Sequence, residues 1–153
     1  MTSSFSKLIA VIILAVLALG CGGEQGPPDP KKTVIKLFGA MEKDDKAALT
    51  YVLDLPELMK SFNADYALDT ENPRVFHNPE EILDDLTGDG QTKTTWFKYQ
   101  RIINQANIMG EETASVDVTF VDKAQSRGYR ARFGLHLVNG KWKIYSFNTI
   151  QGR

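Results

Sequence analysis

Residues 127–149 read RGYRARFGLHLVNGKWKIYSFNT. Side chains alternate along this stretch. Tyr129, Ala131, Phe133, Leu135 and Leu137 fall on one side, and Arg130, Arg132, Gly134 and His136 on the other. A period of two marks a strand with one face buried and one in water. Asn139-Gly140 interrupts the alternation, and this dipeptide readily adopts the positive φ angles of a two-residue hairpin turn. The segment therefore predicts two antiparallel strands, 127–138 and 141–149, the second with Trp142 and Ile144 on one face and Tyr145 and Phe147 on the other.

Upstream, Ala114, Val116, Val118 and Phe120 alternate with Ser115, Asp117 and Thr119, which predicts a strand over 113–121. A further strand is expected over 96–108, with turns at Gly110-Glu111-Glu112 and at 123–126. N-terminal to these the period becomes helical. Asp29-Pro30 offers a cap followed by proline at the first helical position. Val34, Leu37, Phe38 and Met41 then share a face opposite Lys32, Lys36 and Lys43. A second short helix carries Ala47, Ala48, Tyr51 and Val52, and Pro56 opens a third with Leu58, Met59, Phe62 and Tyr66 facing in. Asn78-Pro79-Glu80-Glu81 starts a fourth, which Gly88-Asp89-Gly90 ends. Helices followed by consecutive antiparallel strands predict an α+β fold, with N-terminal helices packed on a curved four-stranded antiparallel sheet.

Ahead of the folded region, an apolar run covers residues 8–19 behind Lys7. As a helix it reaches about 18 Å, short of the roughly 30 Å hydrocarbon core and in keeping with a secretory h-region. The only cysteine, Cys21, follows directly. Leu17-Ala18-Leu19-Gly20-Cys21 resembles the lipobox of a bacterial lipoprotein signal peptide, with Ala18 and Leu19 where the commonest pattern has leucine and a small residue. The resemblance implies cleavage between Gly20 and Cys21, lipid on Cys21, and a place in the bacterial cell envelope. Gly22 rather than aspartate follows the cysteine, which implies the outer membrane, facing the periplasm, in a diderm host. The organisation expected is a signal peptide at 1–20, a lipidated cysteine and flexible tether at 21–32, and a folded domain at 33–150.

Composition narrows the chemistry. Eighteen basic and nineteen acidic residues give a formal net charge of −1, so there is no electrostatic footprint for nucleic acid. With Cys21 as the sole cysteine, the domain has no disulfide, no thiol nucleophile and no cysteine metal site. His77 and His136 lack ligand spacing. Residues 85–90 have the spacing of a calcium loop's start, but Trp96 occupies the position of the required bidentate glutamate. No cofactor or metal is expected.

Three segments carry a second resemblance: Thr33-Val34-Ile35-Lys36-Leu37-Phe38-Gly39-Ala40-Met41, Asp44-Asp45-Lys46-Ala47-Ala48-Leu49, and Gly140-Lys141-Trp142-Lys143-Ile144. With the element order, residues 31–149 resemble the nuclear transport factor 2-like, or cystatin-like, superfamily. The resemblance implies helices packed into the concave face of the sheet to form a cone. Phe38, Tyr51, Phe62, Tyr66, Tyr129 and Trp142 are the candidate pocket residues. Enzymes of the superfamily, ketosteroid isomerase among them, hold a carboxylate and a tyrosine in the cone. Here Tyr129 is the inward hydroxyl, Asp117 points outward, and Asp54 and Asp65 are the helix-side carboxylates. Asp117, Arg130, Arg132, His136, Tyr145 and Phe147 form a candidate interface on the outer sheet face, for a protein partner or a homodimer. Cross-strand ion pairing is the simpler reading of its charges, and a bulge that buries the two aromatics is the rival reading of Tyr145 and Phe147. The function expected is a lipid-anchored envelope protein with a non-catalytic binding domain. The alternative is a small-molecule enzyme, isomerase- or dehydratase-like, working in the cone.

Overall fold

Asp29 begins the first helix as its spacing predicts, its Oδ1 accepting from Lys31 N–H at 2.9 Å with Pro30 in the first turn. The computed structural model describes residues 28–66, 75–125 and 127–150. Cys21 and the cleavage position lie outside the described residues, as do the side chains of Asp65 and Tyr66.

Among the described residues, five helices precede four strands. Helix α1, Pro30–Glu42, buries Val34, Leu37, Phe38 and Met41. Helix α2, Lys46–Val52, is capped by Asp45, and α3 follows as Leu55–Tyr66. Helix α4, Pro79–Asp85, starts in a reciprocal cap: Glu81 N–H donates to Asn78 Oδ1 at 3.1 Å, and His77 N–H donates to Glu81 Oε2 at 2.8 Å. Helix α5 is Gln91–Phe97. The strands are β1 Gln100–Ile108, β2 Thr113–Asp122, β3 Arg127–Val138 and β4 Lys141–Ile150. They pair antiparallel in chain order. Asn139 and Gly140 close the last hairpin with φ of 51° and 72°. None of the described helices is long and apolar enough to cross a membrane.

Two expectations need correction. Strand was predicted from residue 96, yet 91–97 is helix α5 and β1 begins at Gln100. Thr94, Thr95, Trp96 and Phe97 favour strand by propensity, but tertiary contacts decide. Thr92 N–H and Oγ1–H donate to Asp85 at 3.3 and 2.5 Å, tying α5 to the end of α4. Gly90 sits so close beneath that an added Cβ would lie 2.2 Å from Asp85 O. The bound helix then delivers Trp96 into the core.

The second correction concerns Phe147, expected on the outer face beside Tyr145. Gly134 pairs with Ser146, but Leu135 pairs with Ile144, so Tyr145 is an extra residue in β4. The bulge reverses the alternation. Ile144 and Phe147 both point inward, 0% and 7% exposed. Gly134 leaves room for this, since an added Cβ would lie 2.9 Å from Tyr145 Cζ. A second irregularity sets Asn104 and Gln105 of β1 between the Ile103–Val118 and Ala106–Val116 pairs, opposite Asp117.

The linker between α2 and α3 seals part of the β4 edge. Leu53 bridges Ile144 in parallel, and Asp54 N–H donates to Ile144 O at 2.8 Å. This strap satisfies backbone groups that an open edge would leave exposed.

The face reversal is testable by equilibrium unfolding. Phe147→Ala should lower stability by about 3 kcal/mol, the usual scale for truncating a buried phenylalanine. Tyr145→Ala should cost about 1 kcal/mol or less, as a half-exposed side chain does. The reverse order of the two losses would place Phe147 on the surface.

Candidate functional site

The space between helices and sheet is filled by rings. Trp96 lies 5.7 Å from Phe38, 5.5 Å from Phe120, 5.5 Å from Phe133 and 5.2 Å from Phe147, centroid to centroid. Phe62 of α3 meets Phe147 edge to face at 4.6 Å. These separations are those of packed aromatic pairs. Met41, Val118 and Phe133 are fully buried around them.

The expected pocket residues divide accordingly. Phe38 and Phe62 belong to this plug, and Trp142 is buried at 4% exposure. Tyr51 is 58% exposed on α2, with Lys141 Nζ donating to its hydroxyl at 2.5 Å. Tyr129 does face inward, stacked on Phe120 at 4.8 Å and edge-on to Tyr99 at 5.5 Å. Its hydroxyl is buried without a hydrogen-bond partner among the described residues. Burial, with a smaller effect from Tyr99, pushes its pKa up to about 12. Tyr129 is therefore a neutral phenol at any physiological pH, and no carboxylate among the described residues bonds to it.

On the opposite face of the sheet the polar groups pair with one another. Asp117 and Arg132 stand directly across β2 and β3. Arg132 Nε–H donates to Asp117 Oδ1 at 2.8 Å and Nη2–H to Oδ2 at 3.1 Å. Arg130 Nη1 lies 3.9 Å from the same carboxylate. The Arg132 hydrogen bonds hold the Asp117 carboxyl below the usual carboxylate range, against the partial burial that raises it. One carboxylate thus serves two guanidinium groups, whose side chains remain 52% and 56% exposed.

Beside this cluster runs a second row. His136 Nε2–H donates to Asp54 Oδ2 at 2.8 Å, and Tyr145 packs on the imidazole at 5.0 Å. Asp54 also accepts from Glu57 N–H through Oδ1 at 3.3 Å, so one side chain caps α3 and orients His136. Sequence reading considered Asp54 as a base for the cone. The structure places its carboxylate at the sheet's polar face instead. Nothing local signals the pair, because its members are 82 positions apart. Arg101 was also missed. It stands opposite Phe120 and lays its guanidinium 3.9 Å from the Phe97 ring centroid and 5.4 Å from that of Phe38, closing one end of the plug.

The arrangement can do two things chemically. The outer face presents oriented donors, an imidazole and a tyrosine on a rigid sheet, which suits recognition. The inner face presents hydrocarbon and aromatic rings to one another.

Compared with known proteins, the chain matches no family model and no curated protein sequence. Among solved structures it is similar to a de novo designed protein with a curved β-sheet, at 14% identity and a TM-score of 0.44, covering 78% of this chain and 98% of that one.

The Asp117 pairing carries a pH signature. A depressed carboxyl pKa contributes stability that is present above the unfolded value, near 4, and is lost as pH falls through the lower folded value. Asp117→Asn should therefore be less stable at neutral pH by up to about 1 kcal/mol, as for a partly exposed ion pair. The gap should narrow as pH falls below the unfolded value and close once it passes the lower folded one, read by urea titrations in acid. A gap that persists in acid would mean the carboxylate's charge is not what stabilises the pair.

Proposed function

We propose that this chain is a lipid-anchored protein of the bacterial cell envelope, whose nuclear transport factor 2-like domain recognises a protein partner, or a second copy of itself, through the outer face of its sheet. The lipobox resemblance at Gly20-Cys21 supports the anchor. The helix-then-meander order supports the superfamily. The observation that carries the non-catalytic reading is the plug of Phe38, Phe62, Trp96, Phe133 and Phe147, which occupies the space where an enzyme of that superfamily holds its substrate. Recognition then falls to Arg130, Arg132, His136 and Tyr145, held by Asp117 and Asp54 on the sheet's polar face.

One observation favours the enzyme reading. The Tyr129 hydroxyl is buried and unpaired, a situation that costs about 1–3 kcal/mol and that a bound ligand would relieve.

Two experiments test the proposal. In bacteria grown with labelled fatty acid, Cys21→Ala should accumulate as an unprocessed, unlabelled precursor. A processed and labelled variant would remove the anchor. For the binding face, a photo-crosslinker at position 145 should yield a discrete adduct that is lost in Arg132→Glu. A crosslinker at the distant Lys123 should yield none. An adduct indifferent to Arg132, or equal from both positions, would remove the outer face as the interface.

A further inference from the structure

A groove runs along the helix layer, away from the outer sheet face. Between α1 and α2 it has a volume of about 410 Å³, lined by Lys36, Gly39, Ala40, Lys43, Tyr51 and Val52 among others. A recess of about 240 Å³ continues it past Pro28, Lys32, Lys141 and Trp142. Lys36, Tyr51 and Val52 line both, so the two form one surface.

Its chemistry is cationic. Lys32, Lys36, Lys43 and Lys141 line it, and Lys143 stands near enough to act on Tyr51. None of the five pairs with a carboxylate among the described residues. By contrast Lys46, Lys60 and Lys93 all do. The carboxylates lining the groove are Asp29 and Asp45, and each is occupied in capping a helix, accepting from Lys31 N–H and Ala48 N–H at 2.9 Å. Lys141 and, more weakly, Lys36 and Lys143 hold the Tyr51 hydroxyl below its ordinary pKa, which registers the positive potential there. Trp142 lines the recess too, a buried residue whose Nε1–H has no hydrogen-bond partner among the described residues. Ammonium groups around an exposed, amphipathic tyrosine are what a phosphate-bearing surface requires.

The position of the groove names the occupant. Pro28 lines it, and Pro28 lies seven residues after Cys21. Seven residues span at most about 25 Å. A lipid on Cys21 would therefore hold these lysines close to the bilayer, where anionic headgroups attract them.

We propose that this lysine-lined groove docks on the headgroups of anionic phospholipids in the membrane that holds Cys21. The proposal rests on the lipid-anchor reading and adds a second, electrostatic membrane contact to it. The contact also fixes the orientation of the domain.

The test uses the processed full-length protein on vesicles of phosphatidylcholine alone or mixed with phosphatidylglycerol. Lysine acetylation is read by mass spectrometry, and the mass of the Cys21 peptide reports lipidation separately. Phosphatidylglycerol should slow labelling of Lys36 and Lys141 by about fivefold per engaged lysine. Lys98 and Lys123, exposed at the far end of the sheet, should not change. Lys36→Glu with Lys141→Glu should abolish the protection. Lys32→Glu with Lys36→Glu, both on the exposed face of α1, repeats the test if the first pair misfolds. Equal labelling on both vesicles overturns the proposal. So does protection by inorganic phosphate alone on neutral vesicles, which would make this a soluble-anion site. If Cys21 carries no lipid, the anchor reading fails on its own. Cosedimentation then decides the docking, and equal partition onto both vesicles overturns it.

Discussion

Tyr145 occupies β4 without a partner across the strand pair, and at that residue the strand exchanges its faces. Before it, Trp142 and Ile144 point toward the helices. After it, Phe147 does so too, although simple alternation would send it to water. The change of phase gives Phe62 of α3 a ring to pack against, and it joins that helix to the cluster around Trp96. It depends on Gly134, whose missing side chain leaves the space taken by the Tyr145 ring and Ser146 Oγ. The same extra residue places Tyr145 beside His136. One backbone irregularity therefore settles both what fills the interior and what is displayed outside.

Much of this was legible in the sequence, and the exceptions share a cause. Capped helix starts at Asp29 and Asn78 were readable because capping is a short-range interaction. The Asn139-Gly140 hairpin was readable because its φ requirements are local. Arg132 and Asp117 sit on faces that a period of two assigns without ambiguity, so their ion pair followed once the strands were in register. Helix α5 was not readable, because its residues prefer strand and only Asp85 and the core make it helical. The bulge was foreseeable as an option but not locatable, since only its partner strand defines it. His136–Asp54 and the sealing of β4 by Leu53 join distant segments, and no spacing rule addresses them.

Helices α1 and α2 carry the lysine-lined groove, and the sheet's polar face carries Arg130, Arg132, His136 and Tyr145; the two approach each other at β4, where Lys143 stands across from His136. The near-neutral overall charge hides this division, because the carboxylates concentrate elsewhere: Glu80 and Asp84 take up Lys46, and Asp44 takes up Lys93.

Helix α1 has a mechanical consequence. It is the first element after Pro28, yet it is among the most deeply embedded, with Val34, Leu37 and Met41 wholly enclosed and contacts to β1, β2, β4 and α2. A pull arriving along the preceding chain does not meet a peripheral segment that can peel away turn by turn. It must drag a whole row of side chains past three strands at once. The load is shared across the sheet as shear, and the domain resists tension from that end as a single body.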